Sequence, residues 1–392
     1  MTSRFLQISL ACLVASTFAS AGAQAKGPRL ETTDTMIPSG DAGIQLFVRN
    51  KHPAGKETSS DKILLFVHGA TYPAETAFDL PIEGVSMMDL IAARGYDVYL
   101  VDVRGYGRST RPAEMSQPPA ANKPIVSTKV AAHDLGAAVD YILRKRKVSK
   151  INVMGWSWGT SIAGSYTSEH NDKVNRLVLY APQWIRNEPP APAAANAPPL
   201  GAYRLVSKDS AKARWLKDVP ADKQADLIPP GVFEAWANAT WATDPESSKQ
   251  NPPMLRAPNG VAEDSMNYWS AGKALYDPGK ITVPTLLLHA EWDADLPSYL
   301  RARLFRTVEE YALQAADRTE RGNAHGDDGK EPHAILPRAD GIPRRGKATC
   351  AEIDRLTRDL ERGMPAAWAG ILRLGAWLRA RRVAAFILQS AD

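Results

Sequence analysis

Residues 151–159, Ile151-Asn152-Val153-Met154-Gly155-Trp156-Ser157-Trp158-Gly159, limit the possible folds of this chain more than any other stretch. An apolar run of strand character leads straight into Gly-x-Ser-x-Gly, and a small-residue helical segment follows. That order predicts a strand, a sharp turn at Ser157 and a helix. Only glycine fits on either side of so tight a turn. The turn lifts the Ser157 hydroxyl clear of the sheet and aims backbone N–H groups at an incoming carbonyl. A bare Gly-x-Ser-x-Gly occurs often by chance, so the weight rests on the sequence around it.

Three further segments supply that context. Lys62-Ile63-Leu64-Leu65-Phe66-Val67 reads as a buried parallel strand running into His68-Gly69-Ala70. Asp97-Val98-Tyr99-Leu100-Val101-Asp102 is a second strand, ending in Arg104-Gly105-Tyr106-Gly107-Arg108-Ser109. Val283-Pro284-Thr285-Leu286-Leu287-Leu288-His289-Ala290 is a third, delivering Glu291-Trp292-Asp293-Ala294-Asp295-Leu296-Pro297. In this order the four motifs resemble the α/β-hydrolase superfamily, over roughly Ile44 to Arg306. The resemblance implies a mostly parallel sheet with helices on both faces. The alternation of strands and helices along the chain agrees: Ser86 to Arg94 predicts a short helix stopped by Gly95. Val130 to Lys147 predicts a longer one with Leu135, Val139, Ile142 and Leu143 on one stripe, and Leu177 to Tyr180 the strand after the Ser157 helix.

The resemblance also implies roles. Ser157 would attack a carbonyl, a histidine would take its proton, and a carboxylate would orient that histidine and stabilise its cation. The backbone N–H groups of Ala70 and Trp158 would form the oxyanion hole. Asp293 stands just past the end of a strand, where the family carries its acid, with Asp295 and Glu291 as competitors. The family pattern acidic-x-Asp-x-x-x-Pro favours Asp293, since Pro297 falls in register. His68 is expected to hold its loop, His289 reads as a packing residue, and His133, in the helix before the elbow strand, reads as structural. Haloalkane dehalogenase and epoxide hydrolase chemistry is disfavoured, because those relatives carry Asp at the elbow. Proline-type exopeptidase activity is weaker too, because His68-Gly69-Ala70-Thr71 lacks a Gly-Gly-Pro-Gly loop.

Residues 1–25 read as a signal peptide: Arg4, an apolar stretch from Phe5 to about Phe18, and Ala23-Gln24-Ala25 as cleavage site. The apolar run before Cys12 is too short for a lipoprotein site, and no later segment reaches the roughly 18 apolar residues of a membrane span. Export leaves Cys350 as the one mature cysteine, so no intrachain disulfide is expected. A formal charge of +5 raises the question of a nucleic-acid partner, but residues 26–300 hold 30 Lys+Arg against 30 Asp+Glu. The enzyme body is neutral, and neither nucleic-acid binding nor integral membrane association is expected. No cofactor or metal is expected either.

The first part of the core runs over residues 26–182. The chain then breaks pattern at Pro189 to Pro199, a Pro/Ala-rich linker that suits neither a sheet nor a helix interior. Residues 183–280 therefore read as an inserted helical cap, carrying Trp184, Trp215, Trp236, Trp241, Tyr268 and Trp269. Most of these aromatics would pack the cap itself, and one or two would face an apolar or aromatic substrate group. Residues 281–310 return to the core with the acid-bearing strand.

Residues 311–392 form an atypical tail. Ala312 to Gly346 contains no apolar strand, and Gly322-Asn323-Ala324-His325 runs into Gly326-Asp327-Asp328-Gly329 instead of a helix start. Arg:Lys also moves from 13:17 in residues 26–300 to 15:2 in residues 301–392. Back-translation of Gly322 to Pro343 one base out of frame permits a string that resembles the family's histidine loop, so these signs are read together as a change of reading frame near residue 305. His325 is the candidate base that the sequence offers. The function expected is a secreted or periplasmic serine hydrolase acting on an ester or amide of a small apolar or aromatic compound. The alternatives are an acyltransferase or C–C-bond hydrolase of the same fold, or a catalytically impaired protein.

Overall fold

The computed structural model describes residues 28–288, apart from residue 83, residues 187–198, and residues 218, 223 and 225–227. The residues read as a signal peptide, most of the Pro/Ala-rich linker, His289, the Asp293 segment, His325, Cys350 and the tail lie outside the described residues.

The described main sheet has seven strands: β1 (Leu30–Pro38), β2 (Gln45–Pro53), β3 (Ile63–Val67), β4 (Asp97–Val101), β5 (Ile151–Trp156), β6 (Val174–Tyr180) and β9 (Thr285–Leu288). Their spatial order is β1-β2-β4-β3-β5-β6-β9. β1 and β2 pair antiparallel, β2 meets β4 antiparallel, and every pairing from β4 to β9 is parallel. The apolar runs in the sequence are the strands of this parallel half. Ile63, Leu64, Leu65, Phe66 and Val67 are all fully buried, as expected of a strand covered on both faces. Each such side chain contributes about 1.5–3 kcal/mol relative to exposure.

Alternation along β2 shows that helices lie on both faces. Arg49 and Lys51 reach Glu75 of α1 (Ala74–Phe78) and Asp89 of α2 (Met87–Ala92). Asn50, pointing the other way, meets Arg146 of α3 (Thr128–Arg146). On that second face α3 packs against α4 (Trp158–Glu169), and Leu135, Val139 and Ile142 of α3 are fully buried. The short helix is capped by Ser86, which exchanges hydrogen bonds with Asp89, and Gly95 follows it at φ 90°.

Between β6 and β9 the chain leaves the sheet. This insertion holds α5 (Lys208–Trp215), α6 (Val232–Ala242) and α7 (Gly260–Asp264), as a helical reading of the sequence predicts. It also holds an antiparallel pair, β7 (Tyr203–Ser207) and β8 (Met254–Pro258), which that reading lacks. These five-residue strands lie 47 positions apart in register at Ser207 and Met254, so no hairpin turn announces them. The aromatics pack as a core of their own: Phe233, Trp236, Trp241 and Leu255 form an apolar cluster with Tyr72, which the β3–α1 loop contributes. Trp236 stands edge-on to Tyr72 at 4.7 Å, and Trp215 lies 4.3 Å from Trp236. Arg111 donates to Thr243 O at 2.9 Å and Arg256 to Met115 O at 2.6 Å, tying the insertion to the loops beyond β4.

Candidate active site

Ser157 sits where β5 ends and α4 begins, at φ 54° and ψ −120°. An L-residue seldom adopts positive φ, and holding one there costs about 1–3 kcal/mol that the surroundings must supply. Here they do so with backbone. Ser157 N donates to Tyr180 O at 2.9 Å, Thr160 N donates to Ser157 O at 2.9 Å, and Thr160 Oγ1 donates to the same oxygen at 2.6 Å.

The glycines of the turn are required by contact. A methyl group built on Gly155 would lie 2.1 Å from Gly159 O, and one on Gly159 would lie 2.5 Å from Val67 O and 2.7 Å from His68 O. Strand β5, helix α4 and the end of β3 therefore meet with no room for a side chain between them. The same approach brings the β3–α1 loop to the serine: a methyl on Gly69 would lie 3.0 Å from Ser157 Cβ and 3.6 Å from Ser157 Oγ. Gly69, which precedes Ala70, and Trp158, first residue of α4, thus adjoin Ser157, and the N-terminal end of α4 directs its partial positive charge there.

Two side chains hold the segments around Ser157. The Trp158 indole is fully buried and donates from Nε1 to Thr128 Oγ1 at 2.8 Å. Thr128 N, at the start of α3, donates to Asp264 Oδ2 at 2.6 Å, which joins the insertion to the serine turn through Trp158. Sequence spacing gives no sign of this link, because Asp264 and Thr128 are 136 positions apart.

His68 holds the β3–α1 loop. Its Nδ1–H donates to Gly69 O at 2.7 Å and its Nε2 accepts from Val103 N at 3.1 Å, which fixes a neutral tautomer with no lone pair to spare. The ring is fully buried, 4.6 Å from the Tyr106 ring. Burial pushes its pKa down to about 4 from an ordinary 6.5. The unfolded chain binds this proton below 6.5 and the folded chain only near 4, so its contribution to stability is complete above pH 6.5 and falls away as pH drops through 4. Asp102, buried and accepting from Ala74 N at 2.7 Å, has the opposite sign: burial pushes its carboxyl up to about 6, so its contribution is complete below 3.8 and is lost as pH rises through 6. A His68→Gln comparison cancels the Asp102 part. The stability advantage of the wild type over this variant should shrink by about 3 kcal/mol between pH 7 and pH 4 in denaturant titrations. An advantage unchanged with pH would show that His68 does not titrate this way.

Asp293 and His325 lie outside the described residues; of the other site residues expected from the sequence, Trp158 adjoins Ser157 at the start of α4 and Ala70 follows Gly69, which packs on Ser157. His133 is half-exposed near Asp41 at 3.8 Å, away from this cleft in an ion cluster with Arg104.

A family model described as alpha/beta hydrolase fold matches residues 62–294. Solved structures similar to this chain include a predicted CIB-like hydrolase from Thermoplasma acidophilum, 21% identical with a TM-score of 0.29, where the match covers 40% of this chain and 65% of that one. A 2-hydroxy-6-oxo-6-phenylhexa-2,4-dienoate hydrolase from Rhodococcus sp. strain RHA1 is 16% identical with a TM-score of 0.43, covering 71% of this chain and 88% of its own. A serine hydrolase from the polyaromatic-hydrocarbon-degrading bacterium Cycloclasticus zankles is 15% identical with a TM-score of 0.45, covering 76% and 100%. No curated protein matches the chain.

Proposed function

This chain belongs to the alpha/beta hydrolase fold family, and from that premise we propose that it is an exported serine hydrolase cleaving an ester or amide of a small apolar or aromatic compound. The observation that carries the reading is Ser157 held at positive φ between β5 and the N-terminus of α4, with Gly69 against it. Ser157 Oγ attacks the substrate carbonyl while His325 takes its proton and Asp293 stabilises the resulting imidazolium. The carbonyl oxygen gathers negative charge and accepts from Ala70 N–H and Trp158 N–H. The imidazolium returns the proton to the leaving alcohol or amine, and water then releases the acid from the acyl-enzyme by the same steps. The signal-peptide reading of residues 1–25 supports a periplasmic or secreted location.

The composition of residues 301–392 supports a second reading: a family member that keeps nucleophile and oxyanion hole but lacks a working base. An ester assay separates the two. Under the first reading the wild type hydrolyses p-nitrophenyl acetate with burst kinetics, and Ser157→Ala lowers the rate by at least about 10³-fold. Equal rates in wild type and variant would count against a serine hydrolase of either kind.

A further inference from the structure

Arginines buried in the described residues are generally paired with carboxylates. Arg49 meets Asp34, Glu75 and Asp79; Arg104 meets Asp134; Arg146 meets Asp97; Arg256 meets Asp244. Arg94 and Arg204 differ: Arg94 donates to Leu90 O of the adjoining α2, whereas Arg204, on β7 of the insertion, reaches the loop that packs on Ser157. Its Nη1 donates to Pro258 O at 2.7 Å and to Asn259 Oδ1 at 3.4 Å, its Nη2 donates to Thr71 Oγ1, and all three acceptors are neutral. No carboxylate among the described residues forms an ion pair with it. Burial lowers its pKa from the usual guanidinium value, as it does for Arg94 and Arg111, and the nearby charge of Arg214 lowers it further, whereas the carboxylate-paired Arg49, Arg104, Arg146 and Arg256 are held above it. A guanidinium keeps its proton even so, which leaves a largely buried positive charge that no carboxylate among the described residues balances.

The location gives this charge meaning. Thr71 follows Ala70 in the loop that touches Ser157, and it is itself held at φ 80°, a conformation that β-branched residues avoid. Gly69 packs on Ser157, and Thr71 lies only two residues, at most about 7 Å of chain, further along the same loop, so the guanidinium is held by the loop that touches the nucleophile. Its five N–H groups make three hydrogen bonds with the described residues, and the side chain is only partly covered.

We propose that Arg204 is a specificity residue that receives a carboxylate carried by the substrate, so that the preferred ester has an anionic group several bonds from the scissile carbonyl. This rests on the reading of Ser157 as the nucleophile. The planar fork suits a carboxylate bidentately, and the Thr71 contact couples its position to the oxyanion loop.

Two substrate pairs test the idea and show which side carries the anion. Mono-p-nitrophenyl adipate against p-nitrophenyl hexanoate places the carboxylate on the acyl side; 4-acetoxybenzoate against p-tolyl acetate places it on the alcohol side. In one pair kcat/KM should favour the charged member, and Arg204→Gln should lower that charged-to-neutral ratio by about 10- to 100-fold, with Arg204→Lys intermediate. A ratio unaffected by Arg204→Gln in both pairs, or no preference for a charged member in the wild type, would overturn the proposal. Calorimetric binding of adipate and of 4-hydroxybenzoate to Ser157→Ala reads the same contact without hydrolysis. At least one should bind, and Ser157→Ala/Arg204→Gln should bind it at least 10-fold more weakly, once thermal unfolding confirms that both proteins are folded. Equal binding by the two proteins would contradict the role of Arg204 even if the serine proved unreactive.

Discussion

Asp293→Asn is expected to lower turnover of a simple aryl ester by about 10⁴-fold, because an amide at that position leaves the histidine in the wrong tautomer for proton abstraction. The effect should fall mainly on kcat, since under the proposed roles the acid would act on the charge that develops in the transition state. Steady-state kinetics of Asp293→Asn and Asp295→Asn side by side read the assignment directly. The loss belongs to Asp293 under the proposed roles, with Asp295→Asn within about 10-fold of wild type. A large loss in Asp295→Asn alone would exchange the two residues.

Gly155→Ala should be severely damaging. The added carbon would lie 2.1 Å from Gly159 O, 2.4 Å from Gly159 C and 2.8 Å from Thr160 N, all of them backbone atoms of the first turn of α4. No rotamer change relieves such a clash. Either α4 moves out, taking Ser157 and the Trp158 N–H with it, or β5 leaves its register between β3 and β6. The expected cost is about 3 kcal/mol or more, a fall in Tm of roughly 6–12 °C, together with loss of ester hydrolysis. Gly43→Ala is the matching control: Gly43 has positive φ but no atom within 4 Å of the added carbon, so it should cost only about 1 kcal/mol of backbone strain. Equal melting of the two variants would show that close packing does not fix the turn.

The parallel half of the sheet was legible because its strands are covered on both faces and so consist of uninterrupted apolar residues, as at Leu64-Leu65-Phe66. β1 escaped that signal. Its Thr32-Thr33-Asp34 stretch is exposed, as the edge strand of an antiparallel pair allows, and it carries no apolar pattern. The serine turn was legible because its constraint is local, three residues of backbone needing two glycines. The groups that surround it were not. Thr71 and Arg204 are 133 positions apart, Thr128 and Asp264 are 136 apart, and each pair meets only because the insertion folds back over the loops after β3 and before α3. Such contacts are set by tertiary packing, and no periodicity in the chain encodes them.

Reaction of the full chain with a fluorophosphonate probe, followed by mass spectrometry of its peptides, addresses the nucleophile itself. The hydrolase account predicts one covalent phosphonyl adduct, located on Ser157 and absent from Ser157→Ala. A wild-type protein that takes up no probe, or an adduct that maps to another residue and persists in Ser157→Ala, would contradict it.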